Sequence, residues 1–365
     1  MMNFIPGGVC AAQGFKAAGV HMGVKTRNTE KKDVALIVSE TECSAAAVFT
    51  KNVVKAAPIH VDKKHLENGK ARAIIANSGN ANACAPNGEE NAIRMCQAAA
   101  AAIGCDKYRT GCHHCPLIGQ YPKTYFDFSK TMYRKKRQWF TGVKNLTIVT
   151  PSHWLAGKVG ESFLQDYPVQ VIHNGIDRTV FKPCTEDVRQ KYGITGKYVA
   201  LGVAYAWDDK KGLDAMLHLS EALGSDYQIV LVGTDENVDA KLPEGIVSIH
   251  RTQNQQELAQ LYSVADVFVN PTREDTFPTV NMEALCCGTP IVTIATGGSP
   301  EILSEDCGLV VPKNDLQGLA NAVRRVCEER LFTADACVQR GQRFDGQNCI
   351  EEYLELYERI TAKGI

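Results

Sequence analysis

Between residues 145 and 312 short apolar runs alternate with stretches of helical period, and this alternation constrains the fold more than any other feature of the chain. The runs are "NLTIVTPS", "VQVIHNG", "KYVALGVA", "YQIVLVG", "GIVSIH", "ADVFVNP", "PIVTIA" and "CGLVVP". Between them lie "GLDAMLHLSEAL", "NQQELAQLYSVA", "TVNMEALCC" and "LQGLANAVRRVCEE", each with an apolar stripe at helical spacing. Strands apolar on both faces and joined by helices form a parallel sheet with right-handed crossovers. The expected class is α/β, a doubly wound parallel sheet.

Ligands of such sheets sit at the carboxyl ends of the strands. Three strand ends carry unusual residues. "AYAWDDKKG" places Lys210 and Lys211 before a helix expected near Gly212. "REDTFPTVNMEALCCG" places Glu274 and Asp275 ahead of a helix expected to begin near Thr279, after Pro278. "TGGSPEIL" is a glycine turn that feeds a further helix start.

A helix start leaves N–H groups unpaired and carries partial positive charge, so several converging starts suit a phosphate, and lysines add full counter-charge. Carboxylates beside a phosphate need another partner, and a sugar diol supplies two donors. The expected ligand is therefore a sugar nucleotide. The N–H groups of Thr279 and Val280 would face phosphate, Glu283 the ribose, and Glu274 with Asp275 the sugar to be transferred. Taken singly, each signal has a plainer reading: Glu283 as a first-turn acid complementing the helix dipole, the lysines as a solvated pair, "TGGSP" as an ordinary turn.

"REDTFPTVNMEALCCGTPIVT", with "VIHNGIDRTVFKP", "LYSVADVFVNPT" and "TGGSPEIL", resembles the nucleotide-sugar half of family 4 retaining glycosyltransferases of the GT-B fold, from about residue 111 to the end. The resemblance puts the family's paired acids on Asp275 and Glu283, with Glu274 adjacent, and the family lysine on Lys211. It implies retention of configuration without a metal or other cofactor. The base would lie near His250 and Arg251, and Asn174 and Gly175 would line the cleft between the two halves of that fold. The chain departs from the family in having aspartate where glutamate is usual, and no arginine in "LGVAYAWDDKKG", so that Lys210 would have to compensate.

Residues 6 to 104 resemble another family. "GGVCAAQGFKAAGVHMGVK", "KKDVALIVSE", "AAAVFTKNVVKAAPIHV" and "GKARAIIANSGNANACAPNGEENAIRMC" look like the start of the ornithine acetyltransferases of arginine biosynthesis. That family uses a threonine nucleophile made by self-cleavage and a Thr-Gly oxyanion hole, both downstream of the matching stretch. Acyl transfer needs nucleophile, activating amine and oxyanion donors together. This part is expected to be inert, with Asn77, Asn80 and Asn82 as turn-formers.

The texture changes near residues 104 to 111. "GCHHCP" offers Cys112, His113, His114 and Cys115, but four ligands so crowded cannot close a tetrahedron, and no metal is expected. "YRKKRQWF", Tyr133 to Phe140, reads as a solvated helix face or a candidate peripheral membrane contact. A formal charge of -1 implies no pull toward nucleic acid. The 14 scattered cysteines, the plain "MMNFIPGG" start and the lack of a long apolar run point to the cytoplasm.

The expected organisation is a truncated, acetyltransferase-like α/β segment over 1–104, a junction and glycosyltransferase remnant over 105–165, a Rossmann-like nucleotide-sugar domain over 166–345, and a terminal helix over 346–365. In that remnant the last strand, "NLTIVTPS", and the helix near "HWLAGKVGESFL" are what the first half of the GT-B fold would leave. The expected function is glycosyl transfer from a nucleoside diphosphate sugar to a glycan or lipid-linked acceptor. Its rivals are an ornithine/glutamate N-acetyltransferase and a nucleotide-sugar-binding module without turnover.

Overall fold

The structure, a computed structural model, describes residues 8–22, 32–52, 54–78, 87–103, 105, 107–109, 111–113, 115 and 126–362. The chain divides into two compact units, Met1–Thr141 and Gly142–Ile365. The break falls later than the change of texture at 104–111. The stretch 105–165 is shared between the units, because the strand at 148–150 pairs forward with the one at 169–171.

In the first unit β1 (Phe15–Val20), β2 (Val34–Ser44) and β3 (Lys70–Asn77) form an antiparallel sheet in that order. The runs "DVALIVSE" and "ARAIIANSG" become β2 and β3 as their β-branched content requires, whereas the alanine- and glycine-rich β1 carries little such signal. Asn77, read as a turn-former, is instead the last residue of β3 and pairs with Val34. Asn80, Asn82 and His114 lie outside the described residues. Helices run over Ala57–His65, Gly88–Ile103 and Ser129–Phe140. Among the described residues of this unit only Val61, Ala92 and Ala99 are buried hydrophobics, and Ile74 of β3 is 62% exposed. That is a small core for a sheet with three helices.

The second unit opens with β4 (Ile148–Thr150) and β5 (Val169–Val171), parallel and, among the described strands, paired only with each other. They flank the Ser152-capped helix His153–Gly160. β6 (Tyr198–Val203), β7 (Tyr227–Val232), β8 (Val247–Ile249), β9 (Val267–Asn270), β10 (Ile291–Ile294) and β11 (Gly308–Val311) form one parallel sheet, ordered β11-β10-β9-β6-β7-β8. The runs expected to be strands are strands, but the first two stand apart from the main sheet.

Successive side chains of a strand point to opposite faces. Val199, Leu201 and Phe268 therefore pack on one side with helices Gln255–Val264 and Thr279–Cys286. Ala200, Val267 and Val269 pack on the other with Leu213–Leu223 and Leu316–Glu328. Both faces are covered, as the doubly wound class requires. Helices Ala334–Gln342 and Gly346–Ala362 close the chain. No described helix is long and apolar enough to cross a membrane.

Resistance to proteolysis follows burial of the backbone, so limited digestion of the full chain should remove the first unit and leave a product beginning near Gly142. Mass spectrometry of the product checks this, and equal survival of both units would contradict it.

Candidate functional site

The chain lays down β6, β7 and β8 outward in one direction, then returns to the other side of β6 to lay down β9, β10 and β11. The strand order thus reverses between β6 and β9, which pair through Ala200 with Val267 and Leu201 with Phe268. At such a reversal two neighbouring loops diverge at the carboxyl ends and leave a crevice. Here these are the loops that carry Lys210 and Lys211, and Glu274 and Asp275.

The loops are tied closely. Gly212 has φ +78°, and a Cβ there would meet the Pro271 carbonyl at 2.6 Å. The Arg273 N–H donates to the Lys210 carbonyl at 2.7 Å. Across this seam Lys210 Nζ lies 2.8 Å from Glu274 Oε2, and Lys211 Nζ lies 3.1 Å from Asp275 Oδ2. The expected counter-charges for phosphate are therefore paired with the expected sugar acids, because the reversal sets the two loops side by side. An ammonium has three donors and a carboxylate several acceptor sites, so each pair keeps capacity for a ligand.

The loop after β10 completes the wall. Gly297 has φ +54°, and a Cβ there would lie 1.7 Å from the Asp275 carbonyl, so only glycine fits. The Gly298 N–H donates to the Thr276 carbonyl at 3.1 Å. Helix Thr279–Cys286 begins where expected, after Pro278 and without a side-chain cap, with Thr279 exposed and Val280 half-buried. The N–H groups of Thr279 and Val280 have no intrahelical partner, while that of Asn281 donates back to the Pro278 carbonyl at 3.2 Å.

Glu283 sits in the second turn of that helix, which removes its reading as a first-turn acid. Tyr262 Oη donates to Glu283 Oε2 at 3.0 Å, and the Thr279 side chain also bonds it. Burial nevertheless pushes its carboxyl above the ordinary 4.5. A half-buried acid with neutral partners and no ion pair retains acceptor capacity for a neutral diol.

A cleft of about 560 Å³ opens here. Among the residues singled out by sequence, Glu274 and Asp275 line it; Lys210, Lys211 and Glu283 do not. Its wall also includes Thr296 and Gly297 of the expected "TGGSPEIL" turn, and Trp154, Arg273 and Lys313, to which the sequence reading gave no role. Arg273 precedes Glu274 directly and forms a two-bond fork with Asp214, 2.7 Å for each bond, holding Asp214 below the usual carboxylate range. Lys313 follows the end of β11, a strand end that the same rule of strand ends would have flagged.

The remaining expected residues lie elsewhere. Asn174 is exposed, and Gly175 lines a second cleft of about 550 Å³ with Arg178 and Asp345. Gly175 packs so closely that a Cβ would come 2.5 Å from Gly346 Cα. Arg251 is exposed after β8. His250 Nε2 lies 2.6 Å from Asp239 Oδ2, whose hydrogen bond raises the imidazole above its ordinary range. Among the described residues no group of three or more His, Cys, Asp or Glu side chains is placed to hold a metal ion.

Two tests follow from this geometry. Gly297→Ala should destabilise the second unit by more than about 1 kcal/mol, read as a lower denaturation midpoint, because the added methyl collides with backbone at a positive φ. For Glu283 the folded chain holds the proton more tightly than the unfolded chain, so its contribution is full below 4.5 and is lost as pH rises through the higher folded value. The melting temperature of Glu283→Gln relative to the unaltered chain should therefore climb across that interval. A pH-independent difference would contradict the assignment.

Comparison with known proteins divides the chain in the same sense. The ArgJ family model matches residues 16–126, and that of the glycosyl transferases group 1 matches residues 197–329. The arginine biosynthesis bifunctional protein ArgJ of Symbiobacterium thermophilum is 43% identical over 119 residues, 32% of this chain and 30% of that protein. The mitochondrial ArgJ of Ajellomyces capsulatus is 49% identical over 99 residues, 26% of this chain and 21% of that protein. The chain thus spans less than a third of the length of these curated relatives. Among solved structures, the sucrose-phosphate synthase of Thermosynechococcus elongatus superposes with TM-score 0.56 at 21% identity, covering 69% of this chain and 67% of that one. Anabaena HepE, solved with UDP and glucose, gives 0.55 at 18%, covering 74% and 76%. At such identity the likeness is one of fold. One polypeptide therefore carries a stretch similar to the ArgJ family in its first part and, in its second, a stretch similar to the group 1 glycosyl transferases with the fold of GT-B neighbours.

Proposed function

We propose that the second unit binds a nucleoside diphosphate sugar and transfers its glycosyl group, with retention, to a glycan or lipid-linked acceptor, in the manner of family 4 glycosyltransferases. The observation that carries this reading is the pair of ion bridges, Lys210 to Glu274 and Lys211 to Asp275, across the strand-order reversal. Lys211 and Lys210 face the diphosphate, and the Thr279 and Val280 N–H groups share its charge. Glu283 accepts from the ribose, and Glu274 and Asp275 take hydroxyls of the transferred sugar. Arg251 stands nearest the base, and Asn174 and Gly175 line the donor's cleft between the two halves of the fold. Departure of the nucleoside diphosphate develops negative charge that Lys211 stabilises in place, without solvent reorganisation.

The structure of HepE with UDP-glucose makes UDP-sugars the first donors to try. Calorimetry with UDP-, GDP- and ADP-sugars should show binding by one of them. Losing a charge-assisted bond costs about 1.5 to 3 kcal/mol, so Lys211→Ala should weaken that binding roughly tenfold to a hundredfold. Glu283→Ala should weaken the nucleoside diphosphate as much as the sugar nucleotide, since ribose belongs to both. Absence of binding by every nucleotide tested would remove the reading.

The ArgJ-like stretch favours a second reading, acetyl transfer from acetylornithine to glutamate, at an identity of 43% or more over about a quarter to a third of the chain. The small number of buried apolar residues among those described in the first unit weighs against a formed site there. An assay of acetylornithine with glutamate on the full chain should give no ornithine above background.

A further inference from the structure

The positive charges around the cleft are not equivalent. Lys210 and Lys211 are paired with Glu274 and Asp275, and Arg273 is held by Asp214. Lys313 has no carboxylate partner among the described residues; its Nζ donates to the Arg273 carbonyl at 3.3 Å. It is exposed, and it lines the cleft.

Thr296 shares that wall. The residue is only 8% exposed, and its Oγ1 is buried with no hydrogen-bond partner. Buried hydroxyls are nearly always paired, so an orphan in the wall of a cleft marks a place where a ligand atom completes it. Trp154, 41% exposed, offers a flat apolar surface in the same cleft.

A cation and an orphan hydroxyl in the wall of one cleft suit an oxyanion, and an aromatic face suits the C–H surface of a pyranose ring. We propose that Lys313 and Thr296 form a subsite for the carboxylate of a hexuronate whose ring lies on Trp154, so that one of the two sugars handled by this chain is acidic. The inference rests on the nucleotide-sugar reading and specifies its substrate class. The acidic ring can enter as the donor's sugar or as the terminal unit of the acceptor.

Calorimetry on the full chain separates these sources. The donor arm compares UDP-glucuronic acid with UDP-glucose, and GDP-mannuronic acid with GDP-mannose. The acceptor arm compares a glucuronate-terminated disaccharide with its neutral glucose counterpart, with UDP or GDP present. In one arm the acidic sugar should bind about tenfold tighter. Lys313→Ala and Thr296→Val should each abolish that preference, Lys313→Arg should keep it, and affinity for UDP or GDP alone should not change.

No acidic preference in either arm overturns the proposal. So does an equal loss for UDP or GDP alone in Lys313→Ala, which would make Lys313 one more counter-charge of the diphosphate. In both outcomes nucleotide binding persists and the wider reading stands; loss of all nucleotide binding sinks both together.

Discussion

The parallel pairing of β6 with β9 is the contact on which the site depends. Two strands separated by more than sixty residues of chain lie side by side because β7 and β8 were laid down on the far side of β6. Val267 and Phe268 sit fully buried opposite Ala200 and Leu201, so one-residue slippage would exchange the two faces of the strand between different helix layers. With the register fixed, the loops after β6 and β9 can only meet, and everything charged in them is brought within reach.

What those charges contribute is position more than stability. Lys210 and Lys211 are each more than a third exposed, and such pairs add little in water. A buried and a half-buried acid of the same unit make a useful contrast. Glu257, 5% exposed, would be raised by burial, yet Lys191, Tyr192 and the Gln253 N–H together take it to about 2. It is a satisfied carboxylate that anchors helix Gln255–Val264 to Arg189–Tyr192. Glu283 has hydroxyl partners and no cation, and burial leaves it raised. Saturation marks the first as structural, whereas the second keeps spare acceptor capacity.

The first unit shows what a match of sequence does not guarantee. Its strands pair in register, but a sheet is stabilised by what packs on its faces, and few of its described apolar residues are buried. High identity over 99 to 119 residues records common descent of the stretch, while a working acyl-transfer centre needs groups brought together from a whole domain.

The residues alone determined the layered α/β class, six strands of the main sheet, and helix starts at Leu213 and Thr279. Strands buried on both faces must be apolar throughout, and Gly212 and Pro278 punctuate the chain locally. Local chemistry also marked Lys210, Lys211, Glu274 and Asp275, which sit at strand ends readable in sequence, and Glu283, in the helix that follows Pro278. Only the tertiary structure decided which strands adjoin, that β4 and β5 stand apart, and that the marked cations and acids face one another. It alone showed Arg273 gripping Asp214, and, among the described residues, Lys313 without an acidic partner and Thr296 Oγ1 buried without a hydrogen bond. Such facts depend on distances between residues far apart in the chain, and a one-dimensional pattern carries no information about which loops a change of strand order will bring together.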